Sequence, residues 1–556
     1  MEVFTQVLNS INSVIWHDYV LYIVLGTGVL FTFWSGFSQY RAVTHGVSVT
    51  LGRYDDKRDP GAISHFQALS AALSATVGLG NIGGVALAIA LGGPGAVFWM
   101  WMIGLAGMAL KTTEVTLSML YRNTDDPDNP HGGPMFVAAK AFEEKGLPMV
   151  GKFVGGLFVV TLLISTITGG NMFQAWNVAD ITHQYFDIPQ IGTGIFLSVL
   201  VGLVIIGGIK RIGSVAGRLV PFMGVLYLLG AVYVLVVNFG VVPDMLRLIV
   251  TYAFSPAQAE GAFIGGTAGY AFLWGMKRAL FSSESGQGSS PIAHSAAKTN
   301  EPVREAVVAG LEPFIDTLVV CTLTTLVILA TGVWDRGPDV TFTSTPEVVQ
   351  VSDGMWSLER TQLVTIEDPD LRDGADLFVV IRAGVNPNSG EELHRLSGLA
   401  RKEGEHFFVD WSTHESSSPI KLVSQGAFFN YKGATLTAKA FDRTTEGLGK
   451  WLVTVAAWLF AISTMISWSY YGEQGVVFLA GEKWVKGYKL LYCGLIIVAT
   501  IPALISTDAE LDALTALGTG VMLWANIPIM LIFGTMAMRA YWTYMGKLKA
   551  GEFRPH

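Results

Sequence analysis

The sequence predicts an all-α polytopic membrane protein with eleven transmembrane helices. Ten form two inverted five-helix repeats (5+5), one is a peripheral N-terminal helix, and a small β-rich insert lies on the extracytoplasmic side. Three observations predict this. Of the 556 residues, 51% are hydrophobic and only 14% charged, where ordinary soluble domains carry about 25% charged residues. Apolar stretches of about 20 residues, enough to cross a bilayer, recur along the chain. Two of these are interrupted by glycines and polar residues, and each opens a group of five, as in transporters built from inverted repeats.

The apolar segments run Tyr19–Ser38, Phe66–Leu91, Ala96–Tyr121, Lys152–Ala179, Ile191–Ile209, Ala216–Phe239, Ala262–Lys298, Val303–Val333, Lys450–Ala480, Tyr488–Ile505 and Leu511–Tyr541. The second carries S-A-T-V-G-L-G-N-I-G-G from Ser74 to Gly84. Each glycine there weakens a helix by about 1 kcal/mol relative to alanine. Backbone left unpaired in a bilayer is tolerated only where it faces protein or a wet cavity. Such a gap offers N–H groups to an anionic head and C=O groups to a small cation. Close helix packing through small residues is the alternative use of these glycines; Thr76 and Asn81 beside them favour a site. The seventh segment divides at Phe281–Gly288, F-S-S-E-S-G-Q-G, and resumes near Pro291 as a short half-helix.

Lys and Arg fix the expected orientation. Loops with Arg41 and Arg53, with Arg122, Lys140 and Lys145, with Lys210 and Arg211, with Lys298 and Arg304, and with Lys483, Lys486 and Lys489 alternate with loops such as Gly92–Gly95, Asp180–Gln190 and Ser506–Glu510 that have none. The rich set is placed in the cytoplasm, so the N-terminus lies outside and the C-terminus inside a cell (inner) membrane. Expected domains are 1–61, a peripheral helix and linker; 62–240, the first repeat; 241–334 with 449–545, the second; and 335–448, the insert. Within it, Asp376–Arg382 and His406–Trp411 read as strands, with turns at Asp373-Gly374 and Asn386-Pro387-Asn388.

Composition also excludes classes. Cys321 and Cys493 stand alone in apolar segments, so neither a disulfide framework nor a metal cluster is expected. No basic run points to nucleic acid, no cleavable leader is read at the start, and no hydrolytic or nucleotide-binding motif stands in a supporting context. Polar residues inside apolar segments are the remaining candidates. Gln174 is either a helix–helix hydrogen bond or a ligand contact. Ser463 and Thr464 either offer two hydroxyl oxygens to Na+ or bond back to their own helix. Ser463 shares a face with Ser467, and Thr464 with Trp468. Lys111 and Glu114 read as a structural or gating pair, and Glu284 as a local partner or cap. Glu312 and Asp316 are suspects as carboxylates within the membrane, partners unknown.

Several motifs resemble the alanine/glycine:cation symporter family: V-G-L-G-N-I-G-G at Val77–Gly84, G-G-P-G-A-V-F-W-M-W at Gly92–Trp101, G-G-P-M at Gly132–Met135, G-N-M-F-Q at Gly170–Gln174, M-K-R-A-L-F-S-S-E-S-G-Q-G-S at Met276–Ser289 and S-T-M-I-S-W-S-Y-Y-G-E at Ser463–Glu473. The resemblance covers nearly all of the chain outside the insert. It implies Na+-coupled uptake of alanine or glycine on a leucine-transporter-like fold, with no organic cofactor and no enzymatic step. By position it implies that the amides of Gly78, Leu79 and Gly80 hold the substrate carboxylate and that Asn81 and Gln174 orient it. Phe281, Ser282 and Trp468 would line the side-chain pocket. Na+ would sit between the backbone of Ser74 and Val77 and the hydroxyls of Ser463 and Thr464. The sequence differs from the common family pattern at Leu79, Ser283 and Ser285. The expected partners are a small neutral amino acid and the lipid bilayer. The alternative reading is a transporter-derived membrane sensor that signals through the insert.

Overall fold

The structure, a computed structural model, describes the chain apart from residues 1, 57, 258–260, 365–367, 369, 386–391, 432, 505–508 and 554–556. The turn expected at Asn386–Asn388 and most of the loop expected at Ser506–Glu510 therefore lie outside the described residues.

Helices occupy each of the apolar stretches. They are α1 (Asp18–Trp34); α2 (His65–Thr76) and α3 (Val85–Gly92), joined through a π-turn at Gly80–Gly84; α4 (Gly95–Tyr121); α5 (Pro148–Phe186); α6 (Gln190–Ile205); α7 (Gly208–Val237); α8 (Ala268–Ser283) and the short α9 (Pro291–His294); and α10 (Pro302–Ala330). α11 (Ala434–Asp442) lies at the end of the insert, and α12 (Leu448–Ala480), α13 (Val485–Ala499) and α14 (Leu511–Lys549) follow it. Among the described residues seven helices are long and apolar enough to cross a membrane, and eight if the bent pair α2 and α3 counts as one. Three of the expected spans form shorter helices. One is α6, which stops before Gly207-Gly208. Another is α8, which breaks at its polar run. The third is α13, which stops before Pro502; proline and glycine end helices by removing a donor or by adding backbone freedom.

The first break has a local cause. Ser64 caps α2 reciprocally with Gln67, which fixes the start. At the other end Val77 leaves the helix with extended backbone, ψ 97°. The chain re-enters a helix at Gly80, bent by 52°. α12 runs through the centre, with every residue from Ser463 to Gly472 buried. Hydroxyl-rich faces of such helices have to find partners inside the protein.

The insert folds as antiparallel sheet. Strand Gly426–Phe429 lies between Val340–Thr341 and Asp376–Arg382; Leu393–Glu403, His406–Trp411 and Thr361–Gln362 follow in that order. A smaller sheet joins Val348–Ser352, Met355–Leu358 and His414–Glu415. Gly374 forms the expected turn with φ 78°. Asp376–Arg382 is buried on both faces. Leu377, Val379 and Ile381 meet Leu396, Ala400 and Val409, while Phe378 and Val380 meet Phe428 and Ala262. The second face attaches the sheet to the helical body, and double burial explains an unbroken apolar run in an antiparallel strand. Arg395, stacked 4.5 Å over Phe378, donates to the carbonyls of Ala90 at 3.3 Å and Ala262 at 3.0 Å. A cation thus caps the last turn of α3. Burial pulls the Arg395 guanidinium down to about 10.

Candidate functional site

Ser74, one turn before the first break, faces α12. Its hydroxyl donates to the Ser463 carbonyl at 2.7 Å. Its own carbonyl accepts from the Ser463 hydroxyl at 3.3 Å and the Thr464 hydroxyl at 3.2 Å. Ser463 also bonds back to Phe460 at 2.8 Å; Thr464 bonds across to Ser74. Gly78 closes over this cluster, because a Cβ there would stand 3.0 Å from Thr464 Oγ1. The donor set is all oxygen, two hydroxyls and a carbonyl converging on one point, which suits a hard cation. Val77 lies in the break itself, its N–H still bonded to Leu73 at 2.7 Å.

Asn81 ties the two breaks together. Its Oδ1 accepts from the Gly78 N–H at 2.8 Å. Its Nδ2 donates to Ser282 Oγ at 3.0 Å and to Asp316 Oδ1 at 2.5 Å. Ser282 and Thr317 donate to the other oxygen of Asp316 at 2.8 and 2.9 Å. Asn81 is thus the partner of Asp316 that the sequence left unnamed, 235 residues away. Gly80 faces Phe281, with 3.7 Å from a Cβ to the ring. Leu79 is buried beside them.

Gln174 and Trp468 form a second group. α5 carries a π-bulge at Thr168–Met172, a device common at functional sites. Gln174 follows it and donates to the Gly169 carbonyl at 3.0 Å, while its Oε1 is buried without a partner among the described residues. Gly170 lets Trp468 pack on the bulge, since a Cβ would come within 2.4 Å of the indole. Trp468 stands one turn from Thr464 on α12, so that helix carries both groups. Near it on α12, Ser467 Oγ and the Tyr470 and Tyr471 hydroxyls are buried without partners among the described residues. Buried polar atoms left unsatisfied are costly unless something else meets them.

The second break is filled by its own side chains. Glu284 takes left-handed backbone, φ 52°, a conformation uncommon outside glycine, and accepts from Ser289. Gln287 donates to the Leu280 carbonyl at 2.8 Å, and Asn526 to that of Gly286 at 2.9 Å. Lys111 lies 3.7 Å from Glu114 and 3.4 Å from Glu312. His65, His294 and Glu305 complete this buried ionisable group. The sequence reading passed over these three. A signal was available: Glu305 and Glu312 lie two turns apart on one face of α10, and a histidine stands in each half-helix.

A helical membrane body whose interrupted helices gather backbone groups and hydroxyl oxygens at their breaks defines a transporter rather than an enzyme. The chain belongs to the sodium:alanine symporter family, whose sequence model matches residues 1–363 and 416–556. It is 34% identical to the sodium/alanine symporter AgcS of Methanococcus maripaludis, over 88% of this chain and 86% of that one. It is 33% identical to an uncharacterized transporter of Haemophilus influenzae, over 88% and 86% of the two chains. A mutant manganese transporter of Eremococcus coleocola aligns over 88% of each chain at 13% identity and a TM-score of 0.45, a likeness too loose to carry a conclusion.

Proposed function

We propose that the chain is a Na+-coupled symporter that carries a small neutral amino acid, alanine or glycine, into the cell by alternating access. The observation that carries this reading is the oxygen cluster of Ser74, Ser463 and Thr464 beside the first break. Na+ is cargo here, held by these oxygens and by the Val77 backbone. The amino acid lies next to it: its carboxylate at the amides of Gly78, Leu79 and Gly80, its ammonium toward the open Oε1 of Gln174. Phe281, Ser282 and Trp468 limit its side chain. Because Asn81 already occupies the Gly78 N–H, carboxylate binding there requires the Asn81 amide to turn. Its bonds to Asp316 and Ser282 set the cost of that turn.

In this reading eleven segments cross the membrane. The units from α2 to α7 and from α8 to α10 with α12 to α14 are the two inverted repeats, α1 is peripheral, α11 belongs to the insert, and the domain limits are those expected from the sequence. The N-terminus lies outside, the C-terminus is cytoplasmic, and the insert is extracytoplasmic. Uptake of labelled alanine into proteoliposomes with and without an inward Na+ gradient tests it. Uptake is expected only with the gradient, and equal uptake in both contradicts the coupling. The sensor alternative leans on one observation, that residues 364–415 fall outside the family match and still reach α3 through Arg395. Removing that stretch abolishes the output of a sensor and spares uptake by a transporter.

A further inference from the structure

The buried ionisable group beneath the breaks holds a proton that hydrogen-bond counting requires. His294 Nδ1 lies 2.5 Å from Glu305 Oε1, and its Nε2 lies 2.8 Å from Glu312 Oε1. All three side chains are fully buried. A neutral imidazole has one N–H, and a carboxylate only accepts. Two carboxylates and a neutral imidazole can therefore make just one of these bonds. Both together need one more proton, on the ring or on a carboxyl group. His65 bonds the other oxygen of Glu305 through Nδ1. Its Nε2 is buried without a hydrogen-bond partner among the described residues, 3.8 Å from Asp55 Oδ1, and the Asp55 side chain is 41% exposed. Glu312 continues inward to Ser290 at 3.1 Å, and Ser290 to Lys111 at 2.5 Å.

We propose that His65, Glu305, His294 and Glu312 form a proton-binding site that opens to the solvent at Asp55 and is loaded and emptied once in each transport cycle. The placement supplies the coupling. His65 begins the first interrupted helix, His294 ends the short half of the second, and Glu305 holds both. The same two strands of chain are tied by backbone bonds, Ala62 N–H to the Ala296 carbonyl and Lys298 N–H to that of Ile63, each 2.8 Å. Losing the proton sets an acceptor against an acceptor across His294 and loosens this clamp; regaining it closes the clamp. The transfer is a series of hops. A proton from water beside Asp55 joins His65 Nε2, the Nδ1 proton of His65 passes to Glu305, and the next passes through His294 to Glu312, which gives its proton up past Ser290 to water at the breaks when they face the other side; the same hops in reverse carry a proton inward. Each hop breaks one N–H or O–H bond and forms another, and no electrons are exchanged.

The surrounding charges bear on the same proton. Lys111 and Glu114 face Glu312 from α4. Glu284 approaches from the second break and Tyr471 from α12. Arg122, bonded to the Ser295, Ala297 and Thr299 carbonyls, lies near Glu305 and Asp59. Lys111 and Arg122 set two fixed cations against the four carboxyl groups of Glu114, Glu284, Glu305 and Glu312. Burying uncompensated charge is expensive, so this cluster favours holding protons.

The test uses the full chain in proteoliposomes loaded with a pH-sensitive dye, given a Na+ gradient and then alanine. It rests on the symport reading for the cargo that drives the cycle. Wild type is expected to shift the lumen pH in step with alanine uptake. In His294→Gln the shift per alanine is expected to disappear, whatever rate of uptake remains. Alanine uptake by wild type with no pH shift, or an unchanged ratio in the variant, overturns the proposal. Should wild type take up no alanine, the symport reading fails by itself. The proton site is then judged by acid–base titration of the purified proteins between about pH 5 and about pH 10, a window that extends well above the range in which a free histidine titrates. Wild type is expected to bind one more proton than His294→Gln. Equal numbers overturn the site. His65→Gln, which leaves the bonds of His294 in place, serves if His294→Gln does not fold. It is expected to slow the pH response, and an unchanged rate contradicts entry through Asp55.

Discussion

The two interrupted helices solve one problem in opposite ways. The first break is nearly bare. Among the described residues, one side chain, Asn81, takes its Gly78 N–H, and its neighbours are glycines and hydroxyls. The second break is crowded. Gln287, Ser283, Ser289, Asn526 and Lys111 all bond within it or to it. A bare break leaves backbone and hydroxyl oxygens for cargo. A crowded break satisfies itself and becomes the anchor of a buried ionisable cluster. On the proposed function, the first break contacts the cargo and the second holds the buried charges.

This contrast predicts unequal sensitivity. Asn81→Ala removes the single cap of the first break and deprives Asp316 of its closest donor, an expected cost of about 3 kcal/mol, since buried charged acceptors are the dearest to leave unmet. Thermal unfolding in detergent should drop sharply and uptake should be lost; a variant as stable as wild type refutes the role of Asn81. Gly170→Ala follows, at about 1–3 kcal/mol for an overpacked contact, because the indole of Trp468 occupies the space. Reduced uptake with changed preference among neutral amino acids is the expected readout. Arg395→Met should cost about 1 kcal/mol and speed hydrogen exchange in the outer sheet and at the end of α3, with uptake retained. Ser283→Ala in the crowded break is the smallest, about 0.5 kcal/mol, because Ser283 bonds only Ser285 at 2.9 Å and its backbone. A larger loss there than at Asn81 would reverse the comparison.

Both breaks were legible in the sequence because glycines and polar residues in an apolar stretch oppose a continuous helix on local grounds alone. The strands Asp376–Arg382 and His406–Trp411 were legible for the same reason: β-branched and aromatic runs between turn signals. What stayed hidden needs the fold. Nothing near Asn81 announces Asp316, and Glu305 and Glu312 of α10 find their histidines on α2 and α9. The short reach of α6 and α13 was missed because apolar character extends past the residues that stop each helix. The unbroken apolar run Leu377–Ile381 does not name what covers its second face until Ala262 and Phe428 are placed against it.

The central claim is that Ser74, Ser463 and Thr464 hold Na+ at the bare break. The direct measurement is the Na+ concentration giving half-maximal alanine uptake in wild type, Thr464→Ser and Thr464→Ala. Thr464→Ser keeps the oxygen and should match wild type. Thr464→Ala should need about tenfold more Na+, the equivalent of about 1.4 kcal/mol, with little change in which amino acid is carried. An unaltered Na+ requirement in Thr464→Ala would contradict the account.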